Sequence, residues 1–284
     1  VTGPAVWVVG YLSLDDILVA ERVHEDVPGG GALYAALGAV AGGAAPALVA
    51  ACGPDFPEIV LDRLRAAGVD VGAVARRAHP TRRAHLAHVA GGRRESAHYA
   101  RAEWHAATEA LAPPLPPAAT PGPAAAVLTA MPAADLARQL DRARERGARV
   151  VVDTSEVFAR RDRESLLALV ERMDLFAPSR EETRLLLPAL DDDGALAELG
   201  MRCPRVVQKR GAEGLALRSA AQPAALRVPA RPGAVVDPTG AGDACVGALA
   251  AGLARGLGDA ALLALASDVA ARAVAGIGPS GLLR

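Results

Sequence analysis

Two rhythms of apolar and polar positions alternate along the chain. Short apolar runs rich in Val, Ala and Leu predict strands at Ala5–Val9 and at residues 47–51, 125–129, 149–153, 174–177 and Arg205–Lys209. Longer stretches with helical spacing predict helices at 33–40, 59–67, 133–146, 163–172, from Arg180 onward and over 244–257. Gly68 stands where a helix stop is expected. Short apolar strands separated by helices argue for a mostly parallel sheet covered on both faces. Residues 76–105 break the rhythm, with seven arginines and five of the six histidines. There, segments 84–90 and 96–100 flank Gly91-Gly92, which predicts a polar hairpin. The stretch 112–123 holds six prolines and reads as an extended connector.

The 284 residues are enough for one large α/β domain, and the rhythm resumes directly after the proline-rich stretch, so a single domain over 1–284 is expected. A net charge of −1 argues against nucleic-acid or acidic-membrane partners. The apolar run 35–52 is broken by Gly38, Gly42, Gly43 and Pro46, so no membrane span is expected. No basic segment followed by an apolar core opens the chain, and Cys52, Cys203 and Cys245 are widely spaced. A reduced cytoplasmic location is therefore expected. Lys209 is the only lysine, against a large excess of arginine that reads as a coding bias.

The densest chemical signal is Asp237-Pro238-Thr239-Gly240-Ala241-Gly242-Asp243, which leads into the small and apolar run 244–257. A Gly-rich turn that opens a helix aims free backbone N–H groups at one point, with the positive end of the helix dipole behind them. Gly240, Ala241 and Gly242 form the candidate anion hole. Asp243 is the candidate base, placed to take a proton from an attacking hydroxyl while the N–H groups stabilise phosphoryl oxygens. The plainer alternative is that Asp243 caps the helix and the glycines only permit the turn.

Other patterns lead nowhere. The letters of a dinucleotide fingerprint occur at 276–281, but three residues from the end with no helix to follow. No Walker-type phosphate loop exists. His85 and His88 point to opposite faces of a strand, which excludes them as a metal pair. The histidine-rich hairpin reads instead as a solvated, charged sheet edge.

The stretch 237–247 resembles the C-terminal signature of the ribokinase, or PfkB carbohydrate kinase, family. Val8-Val9-Gly10 with Asp15 is similar to that family's first strand and sugar-binding aspartate, with Asp16 an adjacent competitor. Gly29 and Gly30 resemble its di-glycine element, where bare backbone lets substrate approach. Residues 174–182 resemble the strand and motif whose glutamate, here Glu182, organises Mg²⁺ through water. Ser179 replaces the usual asparagine of that motif. Residues 206–214 resemble the strand and turn leading to the nucleotide, which implicates Lys209, Gly211 and, from the signature, Thr239. Residues 267–278 resemble the last helix and loop that cover the adenine, with Ser267 on the helix. That loop also implies a K⁺ site of backbone carbonyls at Asp237 and Gly278. Tyr34 stands where relatives place a substrate-touching asparagine. Asp153-Thr154-Ser155 replaces an Asp-x-Asn element, and Cys245 a phenylalanine.

The resemblance implies a three-layer α/β/α ribokinase-like fold, a central mostly parallel sheet with a small β lid from about residues 14–23 and 76–99. It implies an ATP- and Mg²⁺-dependent kinase acting on a primary hydroxyl of a sugar or sugar-like molecule, and it allows a homodimer through the lid. One rival is a nucleoside kinase of the same fold, with Tyr34 and Trp104 as candidate walls for a base ring. The other is a catalytically silent binding or regulatory protein.

Overall fold

The computed structural model describes residues 3–19, 21–88, 94–117, 122–220 and 222–283. The chain runs through β1 (Ala5–Val9), β2 (Ser13–Val19), β3 (Arg22–Gly29), α1 (Gly31–Ala41), β4 (Ala45–Cys52), α2 (Glu58–Ala66) and β5 (Asp70–Arg76). Then come β6 (Arg82–His88), β7 (Arg94–Ser96), α3 (Ala102–Ala110), β8 (Ala125–Leu128), α4 (Ala133–Glu145) and β9 (Arg149–Val152). After these follow α5 (Glu156–Arg161), α6 (Arg163–Leu169), β10 (Leu175–Phe176), α7 (Arg180–Leu186), α8 (Asp192–Arg202) and β11 (Arg205–Lys209). The last elements are β12 (Leu215–Ser219), β13 (Gln222–Val228), α9 (Ala241–Ala254) and α10 (Asp259–Ala273).

Among the described residues the strands form two sheets. The large one has the order β13-β12-β11-β10-β9-β8-β1-β4-β5 and is parallel from β11 to β5. Its other end is antiparallel. The small one has the order β3-β2-β6-β7. The central strands are apolar on both faces because helices cover both. Val6 and Val8 of β1 enter the layer of α1, α9 and α10, while Trp7 and Val9 enter that of α4, α6 and α8. This is the expected three-layer α/β fold. No described helix is long and apolar enough to cross a membrane.

Most of the expected strands and helices recur within a residue or two, but the helix expected over 244–257 starts and ends three residues earlier, at Ala241 and Ala254. The parallel edge strand β5, the helices α3 and α5, and the antiparallel strands β12 and β13 have no counterpart among the expected elements. The stretch 163–172 is helical only to Leu169 and ends in a 3-10 turn. In the hairpin region, residues 97–100 form a 3-10 turn instead of a strand. The tip at Gly91-Gly92 and part of the proline-rich connector lie outside the described residues. The small sheet also takes in all of β3, up to Gly29. Its second arm starts at Arg82, because Arg76 closes the edge strand β5 of the large sheet.

Helices α1 and α9 touch through bare backbone. A Cβ placed on Gly38 would lie 2.1 Å from the carbonyl oxygen of Ala244, and one on Gly247 would lie 1.9 Å from that of Ala35. Those distances admit no methyl group without moving a helix. Gly247→Ala should therefore destabilise the protein by about 1–3 kcal/mol, the usual cost of overpacking a close-packed core. Urea unfolding measures this, and a wild-type midpoint would contradict so close a crossing.

Candidate active site

The tight crossing brings two helix N-termini to one place. Gly30 caps α1 at φ 94° and Gly240 caps α9 at φ 74°, a backbone region costly for any residue with a Cβ. Neither cap has a side chain bonding the first-turn N–H groups, although Ala32 N–H donates to the Tyr11 carbonyl at 3.3 Å and Ala241 N–H to that of Pro238 at 3.4 Å; both helices direct a positive dipole end here. Asp243 is the third residue of α9. A Cβ on Gly31 would lie 2.5 Å from its Oδ1, and a Cβ on Gly29 would lie 2.0 Å from Oδ2 of Asp15. The glycine segment thus runs directly between the two carboxylates named from the sequence.

Asp15 is 3% exposed. Burial pushes its pKa up to about 6, against a hydrogen bond from Ser13, the charge of Arg82 and the backbone of Ala84. Its Oδ1 has no hydrogen-bond partner among the described residues. Asp16, its competitor, faces the other way. There its Oδ2 lies 3.1 Å from Nδ1 of His85, and its Oδ1 accepts the N–H of Asp26 at 3.2 Å. Tyr34 packs its ring under the anion turn, 2.3 Å from where a Cβ on Gly240 would stand. Its buried hydroxyl lacks a partner among the described residues. Burial first, then the charges of Asp15, Asp237 and Asp243, hold its pKa well above the usual tyrosine value.

The structure also brings Asp237 and Gly278 together. Asp237 is fully buried, and its two oxygens accept the N–H of Thr239 at 2.9 Å and of Gly278 at 2.8 Å. Lys209 Nζ donates to both oxygens of Asp153, at 2.6 and 2.7 Å, and lies 3.5 Å from where a Cβ on Gly242 would be. Burial alone would lower its pKa. Asp153, Glu182 and Asp243 outweigh that and hold it above the ordinary lysine value. Glu182 closes a capping box on α7: its Oε2 accepts the N–H of Ser179 at 2.6 Å, and its own N–H donates to Ser179 Oγ at 3.1 Å. The serine replacing the family's asparagine thus has a local role. Gly211, at φ 57°, opens an exposed turn beyond Lys209. Ser267 is turned inward, where its hydroxyl donates to the Pro229 carbonyl at 3.2 Å.

The small sheet contributes residues that the sequence reading assigned to solvent. Arg82, Ala84, Leu86 and His88 share one face of β6, and His88 reaches the anion turn. Its Nε2 meets Thr239 Oγ1 at 2.7 Å and lies 3.5 Å from Asp237 Oδ1. His98, expected in a solvated hairpin, is 3% exposed, and its Nδ1 accepts the backbone N–H of His85 at 3.1 Å. Trp104 is enclosed by Tyr99, His105 and Phe158, with ring centroids 5.1 to 6.1 Å away, so its ring is spent on packing. The alternation of Arg82, Leu86 and His88 at period two was the available signal for an inward face. Among the described residues no three His, Cys, Asp or Glu side chains gather to hold a metal.

The sequence pattern of the pfkB family carbohydrate kinases matches residues 10–283. Cytidine kinase from Thermococcus kodakarensis is 27% identical over 253 residues, 88% of each chain. Among solved structures, aminoimidazole riboside kinase from Salmonella enterica, complexed with aminoimidazole riboside and an ATP analogue, aligns with a TM-score of 0.76. It is 24% identical, and the match covers 99% of this chain and 96% of that one. A fructokinase double mutant from Vibrio cholerae O395, with fructose, ADP and potassium ion bound, aligns with a TM-score of 0.76. It is 20% identical, covering 99% of this chain and 95% of that one.

The raised Asp15 pKa has a sign. The folded state binds this proton more tightly than the unfolded chain, so the contribution to stability is largest below pH 4 and declines as pH rises to about 6. Asp15→Asn should stabilise the fold at pH 8 by about 2–3 kcal/mol, and the gain should shrink as pH falls from 6 to 4. Urea unfolding at several pH values tests this. Parallel curves for the two proteins would contradict a charge held at the expense of burial.

Proposed function

The chain belongs to the pfkB family of carbohydrate kinases and is therefore a phosphotransferase, and we propose that it transfers the terminal phosphate of ATP to a primary hydroxyl of a ribose-like sugar or nucleoside. The observation that carries this reading is the pair of carboxylates, Asp15 and Asp243, on either side of the glycine segment where two helix N-termini meet.

In this reading the unpartnered Oδ1 of Asp15 accepts from a vicinal diol, and the Tyr34 hydroxyl is the second polar contact. Gly29 and Gly30 let the sugar approach the backbone. The primary hydroxyl then faces Asp243, which takes its proton as the O–P bond forms, while ADP leaves with the electron pair of the broken bond. The N–H groups of the 240–243 turn stabilise charge on the transferring phosphoryl oxygens. Lys209, fixed by Asp153, keeps positive charge behind the turn. The nucleotide lies over the 240–243 turn, against Gly211 and the last helix. Mg²⁺, when bound, would neutralise phosphate charge, and Glu182, held in place by the Ser179 N–H, would be the residue that orients it. The loop at Asp237 and Gly278 suits a K⁺ ion held by backbone carbonyls. The small sheet acts as a lid that excludes water, with His88 bonded to Thr239 as its contact with the anion turn.

The likeness to a cytidine kinase and an aminoimidazole riboside kinase favours a riboside as the first alternative to a free sugar, and both share the ribose diol. A silent binding protein would have no need of Asp243 at an open anion turn.

Asp243→Asn keeps size and removes proton acceptance. Turnover should fall by about 10² to 10⁴, with MgATP binding retained. The test is ATP-dependent phosphorylation across sugars and ribosides, and a variant keeping half the wild-type rate would sink the assignment. Chelation of Mg²⁺ should abolish turnover, and Glu182→Gln should shift the Mg²⁺ titration to higher concentration. Activity in excess chelator would refute the first expectation, an unmoved titration the second.

A further inference from the structure

Arg82 stands out among the described residues because its Nε is buried with no hydrogen-bond partner there. It opens β6 beside Ser13 of β2, on the same inward face as Ala84 and His88. Its neighbours in sequence and space are matched: Arg83 is paired with Asp26, and Arg76 bonds Glu58 and the carbonyls of Gly53 and Phe56. The Nε of the Arg82 guanidinium is sealed from solvent and has no hydrogen-bond partner among the described residues. Aromatic faces hold it instead, with Cζ 4.2 Å from the Tyr11 ring centroid and 5.1 Å from that of Trp104. Beside it the hydroxyl of Tyr11 is a second buried polar group without a partner.

A largely buried cation without a counter-charge is costly, and structures that keep one normally supply its partner from elsewhere. The charges of Asp15 and Asp243 act on Arg82 across the site. The reading above already commits both carboxylates to hydroxyls. A guanidinium fixed by stacking presents its donors as a planar fork, the shape that matches a carboxylate or phosphate.

We propose that Arg82 recognises an acidic oxygen group on the acceptor, so that the substrate is a polyhydroxylated acid and not a neutral sugar. This rests on the kinase reading but replaces its neutral sugar or riboside acceptor with an acidic one. Asp15 holds the diol, Asp243 receives the primary hydroxyl, and Arg82, with the Tyr11 hydroxyl as a second donor, holds the acid.

The experiment measures kcat/KM with ATP for matched acceptors: a pentose and a hexose, their aldonic acids, their sugar monophosphates and a ribonucleoside. At least one acid should exceed its neutral counterpart by roughly 10- to 100-fold, the range expected from a charge-assisted hydrogen bond. The aldonic and phosphate arms decide between carboxylate and phosphate. Arg82→Met should collapse the acid-to-neutral ratio to near one, chiefly through acceptor KM. Arg82→Lys, which keeps the charge but loses the fork, should keep part of it, and thermal melts confirm that both variants fold. Turnover of neutral acceptors with no preference for any acid overturns the proposal and leaves the kinase reading standing. A preference that survives Arg82→Met also overturns it, and turnover of no acceptor at all overturns both.

Discussion

The site depends on how closely α1 and α9 approach. Backbone meets backbone at Gly38 and Ala244 and again at Gly247 and Ala35. That contact sets the distance between Gly31, at the start of one helix, and Asp243, at the start of the other. With side chains between the helices the two N-termini would diverge, and their dipoles and free N–H groups would no longer address a common point. The candidate anion site is therefore a product of core packing. Its precision comes from a contact buried beneath it.

The small sheet completes what the helices begin. β2 delivers Asp15, β3 delivers Gly29, and β6 delivers Arg82 and His88. Two links tie that sheet to the C-terminal loop and turn. His88 bonds Thr239, and Val27 of β3 lies 2.4 Å from where a Cβ on Gly278 would be. Both links end within two residues of Asp237 or on its hydrogen-bond partner. A buried carboxylate that accepts two backbone N–H groups thus anchors the place where the small sheet, the 237–243 turn and the last loop meet.

The parallel sheet and its helices were legible because apolar periodicity reports burial, and the central strands are buried on both faces. The antiparallel β12 and β13 were not, since edge strands with mixed faces lose that signal. The turn that opens α9 was legible because its glycines and small apolar run mark a helix start in the sequence. Lys209 and Ser267 illustrate the limit. Sequence placed both near the nucleotide, yet one is locked to Asp153 and the other to the Pro229 carbonyl, and such pairings arise only in three dimensions. Arg82 and His88 were hidden by composition. In a run of arginine and histidine the solvated face is the default expectation, and only strand alternation distinguishes the inward pair.

The ion pair of Lys209 gives the composition itself a meaning. The chain carries thirty arginines and one lysine, so whatever drift favours arginine has acted at nearly every basic position. It stopped where an ammonium group stands between Asp153 and Gly242, in the field of Glu182 and Asp243. A compact point charge with three donors meets both Asp153 oxygens there, where a guanidinium would bring a wider, planar head. The lone exception to a bias marks a position where shape, and not charge alone, is under constraint.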